Sequence, residues 1–366
     1  MQRTRIALRC LLAAAGLLGA AAGHAQTVTG RVVDPATGEP VPGAMVLMRG
    51  EGTERRSLAD SAGNYVIRAQ RPGSYVLVAE RVGYGAAPSA PIRLEEGETV
   101  RHDLRAGSGR VLLEAITATG RARACEGEVR RGPEAQVLWE EARKVVQSAA
   151  LTAESEHLSF VTRLHRHERR LNNPNPVRSR EWTVTATGRP FASRTAEQLA
   201  DEGYVVSERD STVFQGIDAH AILSDAFVQH HCFSVREGGR DRPGLVGLEF
   251  MPLRGQPRPD VQGVLWLDRA SAELRTVEYR FTGLPYSGAV DRLGGRLRFE
   301  RLPGGRWIVR DWIVNAPLLE IDLLSPALSG KAPRARVRGL VENGGEVIEI
   351  RAAPARTPAA DSASPC

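Results

Sequence analysis

From Thr27 to about Arg105 the chain runs as short apolar or alternating stretches cut by turn chemistry. Thr27–Val33 alternates and ends in Asp34-Pro35-Ala36-Thr37-Gly38, where Pro presets φ and Gly takes φ > 0. Ala44–Met48, Tyr65–Ala69, Ile92–Leu94 and Val100–Leu104 read as further strands. In Ser74–Arg81 the period of two puts Tyr75, Leu77 and Ala79 on one face and Val76, Val78 and Glu80 on the other. About seven strands in so short a span predict a β-sandwich over residues 27–105. The pattern changes at Pro133–Leu151, where Leu138, Ala142, Val145 and Val146 join Val137 on a stripe of helical period, with Trp139 beside it.

Beyond that helix strands dominate again: Leu158–Arg166, Trp182–Thr187, Leu245–Met251, Gly263–Asp268, Glu273–Phe281, Gly295–Arg301 and Trp307–Asn315. Pro303-Gly304-Gly305 predicts one hairpin. Glu342-Asn343-Gly344-Gly345 predicts a second, between Val337–Val341 and Val347–Arg351. Ala219–Val228 reads as one more helix. The fold class is therefore mainly β: a seven-stranded sandwich, then an α+β antiparallel curved sheet, half-barrel-like, with one or two helices. The domain plan is 1–25, 27–105, a linker 106–132, a second domain 133–351 and an Ala/Pro/Ser-rich tail 352–366.

Arg3, Arg5 and Arg9 precede the apolar stretch Leu11–Ala22 and the small-residue site Gly23-His24-Ala25, the layout of a secretory signal peptide. The formal charge of +6 over 366 residues falls to +3 once those 25 are removed. Lys144 and Lys331 are the only lysines, and the arginines are interleaved with acids rather than gathered in a stripe. Nucleic acid is excluded as a partner on that distribution. No apolar run long enough to span a membrane follows the N-terminus. Export to the periplasm or the outer membrane is the expectation, and in an oxidising compartment Cys125 and Cys232 are the natural disulfide pair.

Several segments resemble known families. Gly30-Arg-Val32-Val-Asp34-Pro-Ala-Thr37-Gly38-Glu-Pro40-Val41-Pro-Gly43-Ala44-Met-Val46 resembles the opening of the carboxypeptidase regulatory-like domain. Asp60-x-x-Gly63-x-Tyr65, Pro72-Gly73-x-Tyr75 and Gly83-Tyr84 stand where that family's later turns fall. The resemblance implies a transthyretin-like sandwich, grouped with starch-binding-like modules, appended to a larger protein and without catalysis of its own. Leu112-Leu-Glu114-Ala-Ile-Thr117-Ala-Thr-Gly120 is similar to the segment before the plug of TonB-dependent receptors. Too little chain follows for a plug and a large barrel, so it reads as a shared linker. Gly263–Leu274 with Val277-Glu-Tyr279 resembles a hairpin of periplasmic half-barrels related to lipoprotein-sorting carriers, which implies a cupped sheet able to hold an apolar ligand or its own helix.

His165-Arg-His167-Glu168 contains a His-x-x-Glu that resembles the zinc motif of metallocarboxypeptidases. On a strand His165 and Glu168 face opposite ways, and the surrounding chain lacks that peptidase's alternating helices and strands. His165 and His167 share a face, and His230-His231-Cys232 adds further ligand types. The spacing fits no zinc finger or ribbon, so these read as exposed or hydrogen-bonded histidines and no metal is assigned. Trp182, Trp266, Trp307 and Trp312 are the aromatic candidates for sugar stacking; Trp266 and Trp312 stand in core-like contexts. No nucleophile elbow, phosphate loop or dinucleotide fingerprint occurs, so no catalytic residue and no cofactor are assigned. The expected function is an exported, non-enzymatic binding or structural protein of the envelope, whose partner is an envelope protein, a glycan or an apolar ligand. The alternatives are a carbohydrate-binding module protein, or a hydrolase with an unrecognised acid/base pair in the second domain.

Overall fold

The computed structural model describes residues 26–117, 132–173, 175–208, 211–253, 258–321 and 335–353. Nine strands make the N-terminal sandwich: β1 Gln26–Val33, β2 Met45–Gly50, β3 Thr53–Leu58, β4 Asn64–Ala69, β5 Gly73–Glu80, β6 Ala87–Pro88, β7 Ile92–Leu94, β8 Thr99–Arg101 and β9 Leu104–Arg105. One sheet runs β4-β1-β8 with β9 also on β1; the other runs β3-β2-β5-β6 with β7 on β5. β3 was not foreseen, because TERRSL has no apolar alternation and its residues face solvent or lie half-buried. β4 shows the expected period, burying Tyr65, Ile67 and Ala69.

The second domain begins with α1 Pro133–Ala153, then β10 Leu158–Arg170, β11 Arg178–Thr187, α2 Ala196–Glu202, β12 Val205–Glu208, β13 Ser211–Phe214, α3 Ala219–Leu223 and α4 Asp225–His230. There follow β14 His231–Glu237, β15 Leu245–Pro252, β16 Asp260–Asp268, β17 Leu274–Thr282, β18 Ser287–Gly288, β19 Gly294–Arg301, β20 Trp307–Ile321 and β21 Ala335–Ala352. An open curved sheet carries the order β11-β10-β21-β20-β19-β17-β16-β15-β14, antiparallel throughout except where β18 joins β21. α1 lies across one face and packs Leu138, Ala142, Val145 and Val146 into a core with Phe160, Leu248, Leu265, Val277 and Leu297. The protein's own helices therefore fill the apolar side of the sheet. No helix among the described residues is long and apolar enough to cross a membrane.

Three expectations are corrected. The predicted hairpin at Glu342–Gly345 does not form: β21 runs unbroken for 18 residues between β10 and β20. Gly344 and Gly345 there meet large neighbours rather than turning; a Cβ on Gly345 would come within 2.4 Å of the Trp312 ring, and one on Gly344 within 2.5 Å of the His165 ring. Pro303-Gly304-Gly305 does turn, with Gly305 at φ +80°. The single helix over Ala219–Val228 is two short ones, because Ser224 breaks out to ψ 145° and its Oγ caps the second by accepting from Phe227 N–H. Val137, placed on the buried stripe of α1, is 38% exposed.

The linker expected over 106–132 is partly built into both cores. Ala106 belongs to the sandwich interior, while Leu113 and Ile116 are buried in the second core. Arg269 donates to the carbonyl oxygens of Leu113 and Ile116, both at 2.8 Å, which pins this segment to the turn after β16. The rest of the linker, 118–131, lies outside the described residues, as do the signal-peptide region 1–25 and 354–366 of the tail.

The two domains share an interface that explains the outer face of β5. Tyr75, Leu77 and Ala79 fill the sandwich, as the alternation requires. Val78 on the opposite face joins Met45 and Leu47 in a separate cluster packed on Leu151 of α1. Glu80 makes a two-pronged bond with Arg143, at 3.0 and 3.2 Å. Glu141 accepts from Gly83 N–H at 2.7 Å and pairs with Lys144 at 2.6 Å, both side chains buried. Lys144 also donates to the carbonyl of Tyr84 at 2.6 Å. Burial pushes the Glu141 carboxyl above its ordinary range, against the pull of the Lys144 charge. α1 is thus covered on two sides, which is why it buries Glu141, Lys144, Gln147 and Ser148 as well as its apolar stripe.

Candidate functional site

The face of the curved sheet that carries no helix is polar, and its chemistry follows from strand parity. On β19, Leu297 and Phe299 enter the core, so Arg296 and Arg298 take the other face; on β17, Val277 and Tyr279 leave Thr276 and Glu278 there. Register then aligns Arg163, Glu346, Asp311, Arg298 and Thr276 as direct cross-strand neighbours over β10, β21, β20, β19 and β17. Arg163 pairs with Glu346 at 2.5 Å, and Arg298 with Asp311, which Arg296 also reaches at 3.3 Å. Arg242 grips both oxygens of Glu278, at 2.6 and 2.8 Å, with its guanidinium 4.8 Å from the centre of the Trp266 ring. The arginines and acids of this row, with Thr276, line a shallow depression of about 580 Å³. Two polar atoms in this region, Thr276 Oγ1 and Trp266 Nε1, have no hydrogen-bond partner among the described residues.

At the β10–β21 end of the face, His165 and His167 stack with ring centres 4.6 Å apart, as their shared parity requires. Glu342 of β21 stands opposite His167. Its Oε1 lies 3.4 Å from His165 Nε2 and 3.5 Å from His167 Nδ1, while Oε2 accepts from Arg169 at 3.1 Å. Glu181 of β11 reaches His167 Nε2 at 3.4 Å. Among the described residues this is the set of nitrogen and oxygen ligands that could hold a metal ion. Glu342 and Glu181 escaped sequence reasoning: Glu342 sat in a supposed turn, and each acquires its role only through pairing across strands. Glu168, the other half of the His-x-x-Glu motif, faces away and lies near Arg166 and Arg178.

His230, His231 and Cys232 do not converge. His230 is exposed, with Nδ1 2.7 Å from the Ala226 carbonyl. His231 is buried, with Nδ1 at 2.9 Å from the Phe227 carbonyl and Nε2 at 3.0 Å from that of Val261 and 3.4 Å from Asp260 Oδ1. Both histidines border a pocket of about 300 Å³ with Tyr204, Asp201, Arg258 and Asp260. Cys232 is buried, its Sγ 3.6 Å from the Met251 carbonyl; Cys125 lies outside the described residues. Trp266, Trp307 and Trp312 are buried, and Trp312 stacks on Phe191 at 5.3 Å. Trp182 alone of the four is exposed, beneath the Arg180 guanidinium at 5.2 Å.

No curated protein matches the chain. Among solved structures, a DUF3823 family protein from Parabacteroides merdae aligns over 44% of this chain and 79% of its own, at 8% identity and a TM-score of 0.19. A DUF1329 family protein from Desulfovibrio piger aligns over 59% of this chain and 93% of its own, at 13% identity and a TM-score of 0.27. Likenesses at these scores carry no argument about shared fold or function. The N-terminal unit is different, because its match is one of sequence signature: residues 27–106 fit the family model of the carboxypeptidase regulatory-like domain. Turn signature and two-sheet sandwich agree there, and the chain carries a carboxypeptidase regulatory-like domain at its N-terminal end.

Proposed function

We propose that this is an exported, non-enzymatic binding protein of the bacterial envelope whose helix-free sheet face takes a glycan. The observation that carries the reading is the row of paired guanidinium and carboxylate groups over the 580 Å³ depression. Held by their neighbours, these groups offer planar donors and acceptors to hydroxyls without reorganising. Each carboxylate of the face is paired with a guanidinium, and that balance suits a polar ligand better than a polyanion. An apolar ligand loses its place, because α1 and its neighbours occupy the greasy side of the sheet. The regulatory-like domain supports an appended, non-catalytic role for the N-terminal unit. Export rests on the signal-peptide layout of residues 1–25.

Two measurements test this. N-terminal sequencing of the periplasmic or outer-membrane fraction is expected to begin at Gln26. A glycan-array screen of the mature chain is expected to retain a defined set of polar glycans. Recovery of the unprocessed chain from the cytoplasm, or an array with no signal above background, contradicts the proposal.

A second reading, a hydrolase, draws on the pocket where His230, His231 and Asp260 meet. Both ring nitrogens of His231 face backbone carbonyls, which makes it a clamp between α4 and β16 rather than a free base. Only His230 keeps a ring nitrogen open toward solvent, with the Ala226 carbonyl orienting the other. Turnover of ester or glycoside substrates that His230→Ala abolishes would favour this reading over the first.

A further inference from the structure

We infer that His165, His167 and Glu342 form a divalent-metal site, with zinc the ion they fit. Two imidazoles and one carboxylate are a donor set that zinc accepts, with water completing the coordination. Zinc bonds of about 2.1 Å at the tetrahedral angle place neighbouring ligand atoms about 3.4 Å apart. The Glu342 oxygen stands 3.4 and 3.5 Å from one nitrogen of each ring, so two of the three edges already have the length of such a site, and all three residues offer ligand atoms within 4.8 Å of one another.

The hydrogen bonding around the rings points the same way. His165 Nε2 is buried and has no hydrogen-bond partner among the described residues, although a carboxylate oxygen lies close by. An unpartnered ring nitrogen beside an acceptor is costly unless a proton or a metal cation stands between them. His167 faces the Glu181 carboxylate through Nε2 and an Arg169 N–H through Nδ1, at 3.4 Å each. That arrangement assigns the proton to Nε2 and the lone pair to Nδ1, the nitrogen beside Glu342; zinc takes that lone pair in place of the Arg169 N–H, while Arg169 keeps its bond to Glu342 Oε2. A carboxylate that accepts from the far nitrogen of a metal-bound histidine is the usual outer support of zinc sites, and Glu181 stands in that position. Arg169 holds the other oxygen of Glu342, which leaves Oε1 turned to the two rings.

Gly344 makes room for the arrangement. It lies opposite His165 in the register, and a side chain there would collide with His165 Cε1 at 2.5 Å and Nε2 at 2.7 Å. The glycine that imitates a turn signal in the sequence is thus the place where the imidazole rests on β21. His165 and Glu181 also line the depression assigned to the glycan, but the site stands apart from that reading because its test measures metal binding with no sugar present.

The test is titration of the mature full chain, purified without a histidine tag and stripped with chelator, with zinc alone against a chromophoric competitor. One equivalent is expected to bind. His165→Ala and Glu342→Gln are each expected to weaken binding at least 100-fold, Glu181→Gln about 10- to 100-fold, and the remote His157→Ala not at all. Cobalt in place of zinc is expected to give visible d–d bands that His165→Ala removes. Glu181 is more than half exposed, so Glu181→Gln still decides the matter if a ligand variant misfolds. Absence of stoichiometric binding, or binding unchanged in both His165→Ala and Glu181→Gln, overturns the inference.

Discussion

Gly304-Gly305 and Gly344-Gly345 look alike in the sequence and do opposite things. The first pair follows Pro303 and turns, with Leu302 and Arg306 closing the loop through backbone hydrogen bonds. The second pair continues a strand, because flanking strands β10 and β20 supply partners on both sides and large rings lie across the glycines. A glycine required by φ > 0 and one required by close approach leave the same letter in the sequence, and only the neighbours tell them apart. The same ambiguity hid Glu342, whereas the shared face of His165 and His167 was legible from parity alone. Gly345→Ala is expected to destabilise the protein by about 1–3 kcal/mol through overpacking against Trp312 and Leu164. Gly304→Ala, with nothing within 4 Å of its Cβ, is expected to cost far less. Urea denaturation of the two variants checks the contrast, and equal stabilities would contradict the close approach of Trp312 and Leu164 to Gly345.

α1 is the element that the sequence described only by half. Its apolar stripe was readable from the 3.6 period, apart from Val137, but nothing local announced that a second surface would cover Glu141 and Lys144. Their partners are backbone groups of Gly83 and Tyr84, some 60 residues away, and pairing of that kind has no sequence period. Removing one member of a buried ion pair leaves the other charge uncompensated. Lys144→Met is therefore expected to cost about 3–5 kcal/mol at neutral pH by leaving the Glu141 carboxylate unpaired, and Glu141→Gln with Lys144→Met to recover most of the loss. The pH dependence has a definite sign. The folded carboxyl of Glu141 sits above its ordinary range, so ionising it costs stability. That cost is absent below the ordinary carboxyl range and grows as pH rises from there to the raised folded value. Stability curves across that window should fall with pH more steeply in the native protein than in the double variant. Parallel curves would contradict the assignment.

At the scale of the whole molecule, the sandwich and the curved sheet are joined by more than a tether. Two turns, one from each domain, meet backbone to backbone at Gly43 and Gly305, where a Cβ on Gly43 would lie 2.2 Å from the Gly305 carbonyl carbon. Beside them Met45, Leu47 and Val78 pack on Leu151. Both domains were legible in outline because alternation and turn chemistry are local; their docking was not, because it spends residues that alternation assigns to solvent. The proposed Cys125–Cys232 bond belongs to this scale. Trp139 of α1 packs on Phe233 with ring centres 5.3 Å apart, which brings the first turns of the helix beside Cys232, and Cys125 precedes that helix by eight positions. A bridge there closes a loop of about 107 residues and would stabilise the chain by roughly 4–5 kcal/mol on chain-entropy grounds. Non-reducing digestion and mass spectrometry of the protein recovered from its native host should show the two peptides linked; two alkylatable thiols would rule the bond out.

The helix-free face is proposed to bind a glycan through its paired charges. Its most direct measurement is the affinity of the best array glycan for the mature chain, by calorimetry, against Arg298→Ala and Glu278→Ala. Both substitutions lie on the polar face, away from the packed core, so the variants should keep the native fold by circular dichroism. At least a tenfold loss of affinity is expected in each, with His230→Ala binding as the native protein does. Undiminished binding in both face variants would contradict it.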